Sequence, residues 1–163
     1  MKTLFIIRHA KAEHGNNIKD FDRALEDSGK IDAATMAKRL FEVVKNPDLL
    51  LTSPAKRALQ TAEIFADEFK IPRQKIRQEK EIYDAFDTKD LVYLIKMLSN
   101  QLNTVFLFGH NPTISSLANY CTEVPQHDLP TCSIARIEAD IKTWSEFDKK
   151  NAVWTNLWVP KSF

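Results

Sequence analysis

The sequence predicts one α/β domain, a three-layer sandwich with a mostly parallel central sheet and helices on both faces. Three observations lead there. Apolar runs of strand length recur at residues 3–7 (TLFII), 48–52 (DLLLT) and 104–108 (TVFLF). Segments with apolar residues at helical spacing separate them. Each run then breaks off into polar residues, as a strand does when it leaves a buried sheet. Strands alternating with helices imply right-handed βαβ crossovers around parallel strands.

Taken in order, residues 3–7 are apolar on both faces and bounded by charge, so they read as a central strand. Residues 28–45 follow as a helix, with Ile31, Ala34, Ala37, Leu40 and Val44 on one stripe and Asp27 or Ser28 as its cap. After the strand at 48–52, Ser53-Pro54 has the form of a cap followed by proline at the first helical position. Ala55, Ala58, Leu59, Ala62, Phe65 and Phe69 carry that helix to about Lys70. A short strand is expected near 75–78. A helix is expected over 88–99, capped by Thr88, with Leu91, Leu94, Ile95 and Leu98 inward. Beyond the strand at 104–108, Asn111-Pro112 repeats the cap-and-proline form ahead of Ile114, Leu117, Ala118 and Cys121. Residues 133–139 and 152–158 read as a final pair of strands, a hairpin or antiparallel edge, with Trp144, Trp154 and Trp158 packing there.

The chain has 163 residues, 44% of them hydrophobic and 28% charged, enough for a real core in a single domain spanning 1–163. Its 23 Lys and Arg nearly balance 22 Asp and Glu, with no block of like charge, which argues against nucleic acid and acidic membrane surfaces as partners. No run is long enough to span a bilayer, and the first apolar run is too short for a signal-peptide core. Cys121 and Cys132 form no metal-type spacing and read as core residues of a reducing compartment. The expectation is a cytoplasmic protein.

In open α/β sheets ligands gather beyond the carboxyl ends of the strands. Three strand ends carry chemistry: Arg8-His9, Ser53-Pro54-Ala55-Lys56-Arg57 and Gly109-His110-Asn111-Pro112. A parallel sheet sets all three on one edge. Arg57 falls in the first turn of its helix, where the dipole favours an anion over a cation, so a cation there makes sense with an anion between them. Two arginines, two histidines and helix N-termini suit a tetrahedral dianion, because the guanidinium fork matches phosphate. Gly109 permits a close backbone or ligand approach.

These segments resemble the histidine phosphatase superfamily. RHAKAEH, LTSPAKRALQTA and FGHNPTISSLA are similar to its signature segments, and DFDRALEDSGKIDA and LPTCSIARIEADIKTW are similar to those of its small SixA-type phosphohistidine phosphatases. Ala10 stands where glycine is common and Ala24 where proline is common; neither change removes a chemical group. The resemblance implies a phosphoglycerate mutase-like fold and a covalent phosphohistidine intermediate on His9. Arg8, Arg57 and His110 would complete the catalytic set by neutralising the transferring group.

Neither metal nor cofactor is implied, and His14 and His127 read as isolated, solvent-facing loop residues. Arg23 is either a phosphate or substrate contact or one half of an ion pair with Asp22. Ser53 and Asn111 are either phosphate donors or helix caps. Among Glu79, Glu81, Asp84 and Asp87, the candidates for a general acid are Glu81 and Asp84, each equally readable as solvated loop charge. An imidazole leaving group has less need of such an acid than an alkoxide. The leading expectation is therefore a metal-independent phosphatase acting on phosphohistidine of a partner protein. A broad phosphomonoesterase of small phosphate esters, and an inert phosphoprotein-binding module, are the alternatives. A mutase, which needs a closed-in substrate, is the least fitting relative.

Overall fold

The structure is a computed structural model that describes residues 1–126 and 128–160. Six strands form one sheet: β1 Lys2–Arg8, β2 Leu49–Thr52, β3 Arg77–Gln78, β4 Thr104–Gly109, β5 Ile134–Ala139 and β6 Ala152–Trp158. Among the described residues five α-helices complete it: α1 Asp27–Phe41, α2 Lys56–Glu68, α3 Lys80–Asp84, α4 Thr88–Lys96 and α5 Thr113–Tyr120. The sheet order is β3-β2-β4-β1-β5-β6. The first four are mutually parallel, while β5 runs antiparallel to β1 and β6 antiparallel to β5.

Strand β1 shows why the sequence runs apolar on both faces. Leu4 and Ile6 join one core with residues of α4 and α5. Phe5 and Ile7 point the other way, into a second core with residues of α1 and α2. Side chains of a strand alternate between faces, so a sheet covered on both sides buries every position. The result is the expected α/β sandwich of three layers.

The differences from expectation lie at element ends. In α1 the buried residues are Gly29, Ala33, Met36, Ala37 and Leu40, one step round from the expected stripe, and Ile31 is 66% exposed. Glu26 is the N-cap residue and makes no side-chain cap, so neither Asp27 nor Ser28 serves as the cap. Helix α2 begins at Lys56 rather than at Pro54, and α5 at Thr113 rather than Pro112. Helix α4 is capped by Asp87, which with Asp90 forms a reciprocal capping box, so Thr88 is its first helical residue. Trp144 is fully buried in a short 3₁₀ turn, with its indole N–H on the Leu102 carbonyl at 2.7 Å, and belongs to the core rather than to the edge strands.

The shift of the α1 stripe has a cause at Gly29. A Cβ there would lie 2.2 Å from the Lys11 carbonyl oxygen, in the loop that follows β1. That carbonyl also accepts from the Glu26 N–H at 2.9 Å, so the loop cannot retreat without losing a helix-end hydrogen bond. Gly29→Ala is expected to destabilise the protein by about 3 kcal/mol or more, whereas in an exposed helix the same change stabilises by about 1 kcal/mol. A urea midpoint that rises or stays in place would contradict this packing.

Candidate active site

The carboxyl ends of β1, β2 and β4 adjoin, because β4 pairs with β1 on one side and β2 on the other. Arg8, His9, Ser53 and His110 therefore meet on one edge, and α2 brings Arg57 to them. His9 is held from both sides by backbone. Its N–H donates to the Gly109 carbonyl at 3.1 Å, and its carbonyl accepts from the Cys132 N–H at 3.1 Å. Cys132 has φ +60, the left-handed conformation that lets its N–H also reach the Arg8 carbonyl.

The imidazole of His9 has a defined tautomer. Nδ1 lies 2.7 Å from the Ala10 carbonyl oxygen. A carbonyl only accepts, so Nδ1 carries the proton and Nε2 keeps its lone pair. The Ala10 N–H donates to Thr61 Oγ1 at 3.0 Å, and Thr61 donates to the Arg57 carbonyl at 2.8 Å. Burial lowers the pKa of His9 to about 4; the Ala10 carbonyl opposes the shift, and the charges of Arg57, Arg8 and Arg23 reinforce it. Desolvation thus outranks the repulsion from the arginines.

His110 lies beside it, ring centroids 5.3 Å apart. Burial first, then Arg57 and His9, depress its pKa to about 3. Its Nε2 is 2.7 Å from Ser53 Oγ, which also accepts from the Ala55 N–H at 3.1 Å. In the arrangement that gives the hydroxyl proton an acceptor within the chain, Ser53 donates to Nε2, and Nδ1 of His110 bears the hydrogen. Ser53 thus pairs with a site histidine and turns the chain into α2.

Four buried side-chain nitrogens among the described residues have no hydrogen-bond partner: Arg8 Nε, Arg57 Nε, His110 Nδ1 and Arg136 Nε. Three of the four belong to this one site, on three different elements. Buried donors in folded proteins are nearly always paired, so their convergence points to an acceptor supplied from outside the chain. Arg8 is otherwise fixed by Nη1 donating to the Leu129 carbonyl at 2.9 Å. Asn111 donates to the same carbonyl at 3.0 Å and accepts from Ser115, so its side chain braces the 128–130 loop rather than capping α5.

A carboxylate absent from the sequence expectations completes the site. Asp20, in a 3₁₀ turn Asp20–Asp22, accepts from Arg57 twice, at its carbonyl from Nη1 (2.7 Å) and at Oδ2 from Nη2 (3.1 Å). Tyr83 Oη donates to Oδ2 at 2.8 Å and Arg23 Nη1 to Oδ1 at 3.1 Å. Arg23 therefore pairs with Asp20 rather than with Asp22. Partial burial pushes the Asp20 carboxyl up, but hydrogen bonds from Tyr83, Arg23 and Arg57 outweigh it and hold the pKa at about 2. Its segment, DFDRALEDSG, is one of those carrying the family resemblance, but the residue belongs to no strand or helix stripe that would mark it in the sequence.

Asp20, Arg57 and His110 border an open cleft of about 740 Å³, lined also by Tyr83, Phe86 and Asn111 among others. Asp84 reaches its wall, 3.8 Å from Lys80. Glu81 is exposed on α3 and is not among the lining residues. Glu79 pairs with Arg77 at 2.6 Å, and Asp87 caps α4. Gly109 accommodates side chains rather than a ligand: a Cβ there would sit 2.6 Å from Ile114 and 3.3 Å from Ile82. His14 Nδ1 lies 3.4 Å from Arg23 Nη2, and His127 lies outside the described residues. No group of three or more His, Cys, Asp or Glu residues suited to a metal ion occurs among the described residues. None of their helices is long and apolar enough to cross a membrane. Cys121 and Cys132 are buried free thiols, both with pKa raised by burial, Cys121 to about 12.

The histidines make stability depend on pH. An unfolded histidine binds its proton near pH 6.5, whereas folded His9 and His110 refuse it until about 4 and about 3. Their contribution is therefore present above pH 6.5 and lost as pH falls toward those values. The loss approaches ~1.4 kcal/mol per pH unit for each histidine within that window. Urea unfolding from pH 7 to 4.5 should show this slope, and a His9→Asn, His110→Asn double variant should flatten it. An equal slope in the variant would contradict these shifts.

Comparison with known proteins agrees with the geometry. A family model described as histidine phosphatase superfamily (branch 1) matches residues 4–86, which hold Arg8, His9 and Arg57. An uncharacterized chloroplastic protein of Arabidopsis thaliana is 26% identical over 153 residues, 89% of this chain and 70% of its own. Among solved structures, one from Agrobacterium tumefaciens, provisionally assigned as the phosphohistidine phosphatase SixA, is 27% identical with a TM-score of 0.79. That match covers 98% of this chain and 99% of its own. A protein histidine phosphatase SixA complexed with tungstate has the same TM-score at 22% identity, with 97% of both chains covered, and shares the fold.

Proposed function

Since the chain belongs to the histidine phosphatase superfamily, we propose that it is a metal-independent phosphohistidine phosphatase that uses His9 as nucleophile on a phosphorylated partner protein. The observation that carries this reading is the set of three buried, unpartnered nitrogens on Arg8, Arg57 and His110 around an imidazole whose Nε2 is unprotonated. In the first step Nε2 attacks phosphorus in line. The bond from phosphorus to the substrate nitrogen breaks, and its electron pair stays with that nitrogen. Arg8, Arg57 and the Nδ1–H of His110 compensate charge on the equatorial oxygens, the main contribution a protein makes to phosphoryl transfer. Water then attacks the phosphorylated His9, and the pair of that P–N bond returns to Nε2.

The depressed pKa of His9 keeps the nucleophile neutral down to about pH 4. Substrate preference is supported by the carboxylates at hand. Asp20 is ionised at neutral pH and holds no proton to give to a leaving alkoxide. Asp84 alone favours the second reading, a broad phosphomonoesterase, since it is a cleft carboxylate without a hydrogen-bonded arginine. A side-by-side assay with a phosphohistidine protein, an aryl phosphate and common sugar phosphates tests the choice. The first substrate is expected to give the highest kcat/KM. Sugar phosphates hydrolysed as fast, with loss of that activity in Asp84→Asn, would favour the second reading.

A further inference from the structure

The mouth of the cleft carries an arrangement that the phosphoryl chemistry does not use. Asp20 is 54% exposed although its partner Arg57 is only 7% exposed, so one face of the carboxylate remains turned to the cleft it lines. Tyr83 and Phe86 line the same cleft. Tyr83 stands edge-on to Phe21 at 5.1 Å and edge-on to His110 at 5.7 Å, and Phe86 is 93% exposed at the rim. A fixed anion among aromatic side chains is complementary to a flat cation. The same anion is unfavourable for a leaving group that departs with negative charge.

Resting on the phosphohistidine reading above, we propose that Asp20, framed by Tyr83 and Phe86, is the specificity-determining residue that recognises the leaving imidazole by accepting a hydrogen bond from its far ring nitrogen. The chemistry balances without a general acid. A phosphorylated imidazole protonated on the nitrogen remote from phosphorus is a cation. When His9 Nε2 takes the phosphoryl group, the P–N electron pair returns to the ring. The product is neutral imidazole, still carrying its proton on the remote nitrogen. Asp20 stabilises the cationic form and so favours the state in which the bond breaks readily. This accounts for a cleft whose arginine-bound carboxylate is ionised rather than protonated.

The charged and titratable groups facing Asp20 are Arg23 from its own turn, Arg57 from α2, Tyr83 and Asp84 from α3, and His110 from the end of β4. Only Asp20 among these groups joins an ionised carboxylate to buried Arg57: the arginines are donors, the Tyr83 hydroxyl donates its proton to Asp20 and keeps only a neutral, weaker acceptor, and Asp84 lies 3.8 Å from Lys80. The competing role for Asp20 is that of a latch that only orients Arg57. The two roles differ in what they do to different leaving groups.

The test compares wild type, Asp20→Asn and Tyr83→Phe on an N-phosphorylated histidine peptide and on an aryl phosphate, each across pH. Asp20→Asn is expected to lower kcat/KM for the peptide about tenfold more than for the aryl phosphate, the worth of one charge-assisted hydrogen bond. A carboxylate raises the pKa of the bound ring, so its loss moves the alkaline fall in peptide hydrolysis to lower pH. Tyr83→Phe is expected to act in the same direction and less strongly. Equal losses on both substrates, or an unmoved alkaline limb, would assign Asp20 to the latch and overturn the inference. A wild-type protein that hydrolyses only the aryl phosphate would overturn the phosphohistidine reading itself, and the inference with it.

Discussion

Replacing His9 by alanine is expected to lower kcat by on the order of 10⁴-fold or more, the scale seen when a covalent nucleophile is removed. The size follows from how little else in the site can take its place. His110 is close, but its Nδ1 bears the proton and its Nε2 receives the Ser53 hydroxyl, so it presents no lone pair toward phosphorus. Binding should survive better than turnover, because the donors of Arg8, Arg57 and His110 remain. The expected signature is a large fall in kcat with a modest change in the affinity for an inhibitory oxyanion such as tungstate. His9→Asn, which keeps a polar side chain of moderate size, guards against a folding artefact; its thermal midpoint at pH 7 should lie near that of the wild type. Turnover within tenfold of wild type in either variant would mean that water attacks the substrate directly.

Arg57→Ala is the second large effect, a loss of roughly 10³-fold in kcat/KM. Arg57 is almost buried, donates twice to Asp20 and retains an unpartnered Nε. Its removal takes away a transition-state donor and releases the turn that carries Asp20. Arg57→Lys should recover only a minor part of this loss. An ammonium restores the charge but cannot hold the Asp20 carbonyl, the Asp20 carboxylate and a phosphoryl oxygen in one rigid plane. A lysine variant within a few-fold of wild type would show that charge alone matters there. Phosphate affinity and turnover, measured on the same preparations, separate the two contributions.

The sheet was legible because buried parallel strands leave a plain trace. TLFII, DLLLT and TVFLF are apolar on both faces, and each stops where its chemistry begins. The convergence of Arg8, His9, Arg57 and His110 followed from the parallel arrangement alone, without knowing the strand order. Errors gathered where backbone context outranks local pattern. The α1 stripe slipped because Gly29, which looks indifferent in sequence, is the point of closest contact with the Lys11 backbone. Ser53 and Asn111 resembled caps by type, but their side chains serve His110 and the 128–130 loop.

Thr61 and Asp20 differ in how far the sequence marks them. Thr61 lies one helical turn beyond Arg57, on the same face, and its hydroxyl ties the His9 loop to α2. Asp20 lies three residues before Arg23, and nothing local in the sequence shows that Arg57, 37 positions away, will meet it. Tyr83, between the candidate acids Glu81 and Asp84, is the residue of that segment whose side chain meets Asp20. The structure instead offers an ionised carboxylate before α1, which changes the chemical question from proton donation to recognition of a cation.

Passage of phosphorus through His9 is the step on which the proposed function turns. It is tested most directly by mixing enzyme with a phosphorylated histidine peptide, quenching in alkali within a single turnover and mapping the phosphoryl group by mass spectrometry. The expected result is one acid-labile, alkali-stable phosphoryl group on the peptide containing His9, appearing before inorganic phosphate and absent from His9→Ala. Full turnover with no phosphoryl group on that peptide at any time, or with the group on another residue, would contradict it.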